Sequence, residues 1–383
     1  MKTNITFLFI SSLITLAACS KEPPPSALLA SPIHNFSIST PPDSKSNSKS
    51  SKYLASANAL YSLDYENQAI FVHNLGNNAP NYQKVKLNAD GPNGIGKAYS
   101  ISALSKDSII VVRAGPGVLS IIDRSGKILE TIRYDFSGEQ EPDFTGFRNR
   151  HKKDVFLYRD SLLFFPQRVP FRGSRPESID HRPIGYYDLH RKTFHLLDFK
   201  YPNEYWNQKL LNDFTFCGNG KYLYFGLAAQ HFIWQYDLTT GSHKKISSKS
   251  SSFPEEFVGE QEFGDVYERT AFLVTQPQYN SVLADPHRDL IYRLAIIPYE
   301  DVAYAKGKSV QLFQYPDIFS VIVSRTDGTQ VGEYTFPPRT YFPYGMFVSS
   351  QGLNVPKSHP EYLIENGSED EVVYDVFDLS END

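Results

Sequence analysis

The sequence predicts an all-β chain: a six-bladed β-propeller of four-stranded antiparallel blades, its ring closed by an N-terminal strand. Three observations predict it. Short strand-like runs recur as a group at intervals of roughly 40–60 residues, the period of radially repeated sheets. Phe and Tyr dominate a 14% aromatic content, punctuated by 23 Gly and 25 Pro, which suits strands joined by turns. The last group lacks a fourth strand, while a spare one at 33–40 precedes the first. Pairing the two leaves no free edge.

Residues 1–19 come first. Met1-Lys2 is a positive start, and the apolar run from Ile5 to Leu16 is too short to span a bilayer. This is the layout of a secretory signal, which assigns 1–18 to a signal peptide. The Cys directly after Leu16-Ala17-Ala18 resembles a bacterial lipobox, in which Cys19 is lipidated and opens the mature chain. Several acyl chains at one cysteine anchor stably, so the membrane is one partner. Residues 19–52 then form a tether, stiff at Pro23-Pro24-Pro25 and rich in Ser and Lys from Pro41 to Lys52. Within it, Phe36 and Ile38 alternate with polar residues, which marks 33–40 as the closing strand.

The propeller domain is placed at 53–383. Its clearest unit is Ala98–Tyr134. Three apolar runs end at Asp123, and Arg124-Ser125-Gly126-Lys127 turns the chain into Ile128–Arg133, an Asp-x-x-Gly hairpin. The pattern returns at Tyr222–Ile246, at Ser161–Asp198, at Leu290–Phe336, earlier at Ala59–Leu87, and incompletely at Tyr344–Leu379. The turns between third and fourth strands are tight: 123–126, 188–192, 237–241 and 325–328. The connections between second and third strands, and between blades, are long: 88–97, 135–153, 166–183, 247–278, 298–317, 337–343 and 356–370. In a propeller those two kinds of connection share one face. The excess chain therefore decorates one side of a rigid scaffold, where binding residues concentrate.

A lipobox, a Ser/Pro tether and this repeat together resemble an uncharacterised family of six-bladed TolB-like propeller lipoproteins of Bacteroidota. The most family-like stretch is Ser281-Val-Leu-Ala-Asp-Pro-His-Arg-Asp-Leu-Ile-Tyr-Arg-Leu294, a strand, an Asp-Pro turn and a strand bearing Tyr-Arg. The resemblance implies the fold and an envelope location and carries no activity, catalytic residue or ligand.

Composition excludes some classes. The net charge of −5 leaves no footprint for nucleic acid. With Cys19 lipidated, Cys217 is the remaining cysteine, and its apolar surroundings read as a buried thiol. The ten histidines form no His-x-His or His-x-x-x-His pair, so neither a metal nor a cofactor is expected. His231 and His181 lie in loops of the same face and are the candidate imidazoles for acid–base work. Gly91-Pro-Asn-Gly-Ile-Gly96 lacks the Lys-Ser/Thr of a phosphate loop and reads as a connection between blades. The acids between 254 and 268 match no calcium loop and read as a flexible charged flap.

The positive charge is more suggestive. Arg148, Arg168, Arg175, His181 and Arg182 crowd the connections of the third unit, and Arg113 and Arg293 are placed at the ends of second strands, toward the same face. Guanidinium groups there are candidates for bidentate binding of carboxylate or phosphate. The first functional reading is an outer-membrane lipoprotein, periplasmic or surface-facing, whose propeller binds or scaffolds a glycan, a peptide or an envelope protein. The alternative is a propeller lyase or hydrolase acting on acidic glycans, and whether the chain is an enzyme stays open, with the reading leaning against it.

Overall fold

The structure is a computed structural model, and it describes residues 28–41, 51–76, 82–91, 94–113, 118–133, 155–166, 182–200, 214–259, 263–367 and 370–380. Six sheets form the expected six-bladed propeller. From axis to rim, the first blade is β3 (Ser51–Leu54), β4 (Ala59–Asp64), β5 (Ala69–Asn74) and β6 (Tyr82–Lys86). The second is β7 (Ala98–Ala103), β8 (Ser108–Arg113), β9 (Val118–Asp123) and β10 (Ile128–Arg133). The third is β11 (Phe156–Tyr158), β12 (Leu162–Pro166), β13 (Ile184–Asp188) and β14 (Thr193–Leu196). The fourth is β15 (Phe214–Asn219), β16 (Tyr222–Leu227), β17 (Phe232–Asp237) and β18 (His243–Ser247). The fifth is β19 (Gln278–Asp285), β20 (Leu290–Ile296), β21 (Phe319–Arg325) and β22 (Gln330–Thr335), and β1 (Leu28–Leu29) adds to its rim. The sixth is β23 (Phe347–Ser349), β24 (Gly352–Pro356) and β25 (Glu371–Phe377), completed by β2 (His34–Ser39).

Each middle strand is covered by neighbouring blades on both faces, so its apolar residues run on rather than alternate. β8 makes the point. Ile109 and Val111 join the cluster shared with the first blade, and Ile110 and Val112 join the cluster shared with the third. β20 divides in the same way: Leu290, Tyr292, Leu294 and Ile296 face the sixth blade, and Ile291 faces the fourth. Rim strands meet solvent and alternate again. In β18 only Ile246 is buried, and in β10 only Ile132.

The ring closes as the sequence predicts. β2 pairs antiparallel with β25, from His34 opposite Val376 to Ser39 opposite Glu371. Phe36 stacks on Tyr374 with ring centroids 5.3 Å apart. The tether is shorter than expected, because two stretches assigned to it are strands. β1 lies parallel to β22, with Ala30 N–H donating to Thr335 O at 2.8 Å. The boundary placed at Tyr53 falls inside β3, whose Ser51 is buried beside the axis.

The tight turns use the residues the sequence offered. Asp123 Oδ1 accepts from the amides of Ser125 and Lys127 at 2.8 and 3.0 Å, and Gly126 takes φ +84°. Asp188 and Asp237 repeat the bracket. The Asp-Pro turn of the fifth blade is more heavily built. Asp285 Oδ2 accepts from Tyr292 Oη at 2.9 Å and from Arg288, whose guanidinium also reaches Asp378 and Ser350 O of the sixth blade.

His73 sits on β5, 5% exposed, facing a small cavity of about 40 Å3 lined by Thr40, Ser51, Ser62 and Asp64 together with the apolar Ile38, Leu60 and Phe71. Burial lowers its pKa to about 4. The unfolded chain, with an ordinary pKa near 6.5, therefore binds the proton first. No penalty exists above pH 6.5; it grows as pH falls and is complete below about 4, reaching about 3 kcal/mol. Thermal melts of wild type and His73→Gln across this window should converge at neutral pH and diverge toward pH 4, with the wild type losing more. Parallel curves would refute the assignment.

Candidate functional site

The chain's excess length lies on one face, as predicted. In the first, second and fourth blades, however, the second and third strands are joined by the short connections 65–68, 114–117 and 228–231. On that face the connections of the fourth and fifth blades fold into helices. These are α1 (Val266–Val274) after β18, then α2 (Val302–Gly307) and α3 (Ser309–Gln314) between β20 and β21. The sixth blade adds α4 (Pro360–Asn366) between β24 and β25.

Local signals start three of the four helices, α1, α2 and α4. Asp265 accepts from the amides of Tyr267 and Glu268 at 2.7 and 2.8 Å, and Glu268 reaches back to Gly264 N–H at 2.8 Å. This is a reciprocal cap. Asp301 caps α2 through Tyr304 N–H, and His359 Nδ1 caps α4 through Glu361 N–H ahead of Pro360. At the far end of α1, buried Gln278 donates to Leu273 O at 2.6 Å. Leu273 packs on Ala228 and Ala229 of the fourth blade, while Val274, Ala305 and Leu312 close the three helices on one another.

The described parts of the acidic stretch, 254–259 and 263–268, are thus not a free flap, while Glu260 and Glu262 lie outside the described residues. Phe253 is buried, Phe257 packs on His231 at 4.7 Å between centroids, and Glu255 pairs with Lys249. Its acids at 265 and 268 serve helix capping. His231 is committed too: Nδ1 faces Tyr279 Oη at 2.8 Å, and Nε2 faces Pro254 O at 2.8 Å. Burial lowers its pKa, so the neutral ring pins the loop to the fourth blade.

A charged cluster ties the helices to the sixth blade. Asp317 is buried, with Oδ2 at 2.8 Å from Arg339 Nε and Oδ1 at 3.3 Å from His359 Nε2. The His359 approach has the distance of an ion pair but misses hydrogen-bond geometry. Burial alone raises the Asp317 pKa; His359 and Arg339 outweigh it and hold the carboxyl below its ordinary value. Arg339 also reaches Tyr304 Oη on α2 at 2.9 Å and Glu361 on α4 at 3.1 Å.

Between α1 and the α2–α3 pair lies a cleft of about 1140 Å3. Its walls carry Phe263, Tyr267 and Glu268 on one side and Val302, Lys306, Lys308, Val310 and Gln311 on the other.

The sequence-predicted residues fall elsewhere. Arg113 ends β8 on the long-loop face, its Nη2 3.5 Å from Gly94 O in the connection to the second blade. That connection, 87–97, is the glycine-bearing loop read as a link between blades. Arg182 lies on the same face, 3.7 Å from Asp198. Arg293 does not reach the face: it lies in mid-strand on β20, 1% exposed, in the seam between the fourth and fifth blades. Its guanidinium stacks 3.6 Å over the Tyr279 ring and donates to Leu227 O and Ser248 O at 3.0 and 3.2 Å. Gly226 leaves room for it, since a Cβ there would stand 3.2 Å from Arg293 Nη2. Cys217 is a buried free thiol. Cys19, Arg148, Arg168, Arg175 and His181 lie outside the described residues.

The sequence reading missed the cleft residues and the Asp317 cluster. The usable signal was Asp301 and Asp265, each followed at three-to-four spacing by apolar residues. Among the described residues no group of His, Cys, Asp or Glu is arranged to hold a metal, and no helix is long and apolar enough to cross a membrane.

Comparison with known proteins agrees with the fold. A member of the duf4221 family from Bacteroides vulgatus ATCC 8482 superposes with a TM-score of 0.76 at 20% identity, over 93% of this chain and 99% of that one. A Bacteroides fragilis NCTC 9343 protein, provisionally described as exported, gives 0.53 at 11% identity over 92% and 98%. No curated protein matches the chain in sequence. The family model described as Domain of unknown function (DUF4221) matches residues 46–315. Covering most of the propeller, that match makes the chain a member of the DUF4221 family.

Proposed function

We propose that the chain is an envelope-anchored binding protein. Lipid on Cys19 holds it at a membrane, the outer membrane by this reading, and the long-loop face takes a ligand of the envelope: a glycan, a peptide or an envelope protein. The observation that carries the reading is the one-sided elaboration of the ring. On one face the connections are short turns, several of them bracketed by Asp; on the other, among the described residues, they fold into four helices, three of which enclose a cleft. A scaffold that needed only to be stable would not build this on one side. The signal layout before Cys19 and the exported description of the Bacteroides fragilis protein support the location.

The test has two parts. Palmitate labelling of cells should mark the full chain and leave Cys19→Ala unmarked. The unlipidated chain should still co-sediment with an envelope fraction. Arg182→Glu or Lys308→Glu on the long-loop face should weaken that binding about tenfold, the scale of one lost charged contact. Arg191→Ala, on an exposed turn of the other face, should not. Labelling of both chains, or equal loss from both faces, would end this reading.

A further inference from the structure

We propose that the cleft between α1 and the α2–α3 pair receives an amphipathic segment of a partner polypeptide. Its apolar side chains seat against Tyr267, Val302 and Val310, and its carboxylates meet Lys306 and Lys308. This rests on the binding role proposed above and names the occupant.

The apolar groups are surplus to folding. Leu273, Val274, Ala305 and Leu312 already close the helices on one another and on the blades. Tyr267 nevertheless stands 66% exposed, Val302 47% and Val310 46%, all on the walls of one cleft, with Val266 beside them at 65%. Single exposed apolar side chains are ordinary; a group converging on one groove marks an interaction site.

The charge is one-sided. Lys306 and Lys308 are exposed on the same wall, and neither is in an ion pair among the described residues. The nearby acids keep their charge but are held by backbone amides rather than by the lysines. Asp265 and Asp301 cap their helices, and Glu268 holds Gly264 N–H. An incoming carboxylate therefore meets two ammonium groups at the lip.

Size and chemistry choose the occupant. At about 1140 Å3 the cleft exceeds what small ligands usually fill, roughly 300–1,000 Å3. Its lining sets Val302 and Val310 among Phe263, Tyr267, Phe272 and Tyr315, a mixed aliphatic and aromatic surface that suits apolar side-chain anchors. Gln311 and Thr275 on the walls offer donors and acceptors to a polypeptide backbone. An apolar stripe laid into a groove between helices is a recurrent mode of peptide recognition.

The experiment selects a phage-displayed random peptide library on the full chain in detergent. Selected peptides are then titrated by fluorescence anisotropy. They should carry apolar residues at helical spacing flanked by Asp or Glu. Val310→Glu and Lys306→Ala/Lys308→Ala should each weaken them about tenfold or more. Lys306→Arg/Lys308→Arg should keep most of the affinity, and added salt should reduce it. All substituted side chains are exposed, so matching melting curves check the fold. Any of these results would overturn the inference: no peptide selected; peptides that bind Val310→Glu as well as wild type; tetragalacturonate binding in the cleft in place of peptides; or self-association lost in Val310→Glu, which would make the occupant a second copy. Envelope binding retained by Val310→Glu would remove this inference and leave the proposed function standing, whereas its absence from the wild type removes both.

Discussion

Deleting residues 34–39 is expected to abolish cooperative folding. β2 is the rim of the sixth blade, and its register runs the full length of β25. Its loss uncovers Val372 and Tyr374 and removes Phe36 and Ile38 from the cluster that joins the sixth blade to the first. Burial of each large side chain contributes about 1.5–3 kcal/mol. Together these approach the total stability of a typical domain, about 5–15 kcal/mol. The deletion also frees the polar edge of β25, a template for aggregation. Ser37→Ala, on the exposed side of the same strand, should leave the melting temperature in place. Urea melts followed by tyrosine fluorescence decide the matter. A deletion chain that unfolds in one transition at the wild-type midpoint would show that closure is dispensable.

Glu333→Ala is expected to cost about 4 kcal/mol, the sum of several buried donors losing an acceptor at about 1–3 kcal/mol each, partly relaxed. Glu333 is on β22 and fully buried. Its Oε1 accepts from the hydroxyls of Ser250 and Ser320 at 2.6 and 2.5 Å, and its Oε2 accepts from the amide and hydroxyl of Ser251, both at 2.7 Å. One carboxylate thereby docks the Ser-rich stretch after β18 against the fifth blade. Glu333→Gln keeps the shape and lets the serine hydroxyls turn, so it should cost less, about 1–2 kcal/mol. Equal losses from the two variants would mean that packing, rather than the acceptor set, holds the loop.

The fold was legible where its physics is local. Asp123, Asp188 and Asp237 announced their turns because the bracketing bonds span a few residues. Phe36 and Ile38 betrayed a strand by alternation. β3 was hidden because an axial strand needs little apolar surface: Ser51 is buried, yet Ser51-Lys52 continues a Ser/Lys run. The helices were hidden by their brevity and by acids that cap them. Arg293 was misplaced for a different reason. Counting it as a strand end put it on the face, but in mid-strand its side chain must enter one seam or the other, and it enters the seam with the fourth blade. The union of Asp317, Arg339 and His359 joins three connections of the fifth and sixth blades, and only the packing of those two blades on each other brings the connections together.

The pairing of β1 with β22 carries a consequence for reach. With the anchor proposed at Cys19, what separates it from the ring is not the long Ser/Pro stretch but the eight residues from Ser20 to Ala27, ahead of β1. Fully extended they span about 30 Å. The attachment point is the outer edge of the fifth blade, the same blade whose connection forms α2 and α3. An anchor at Cys19 would tie the body at its rim by so short a cord that the cleft could meet only partners embedded in, or lying close to, the same surface.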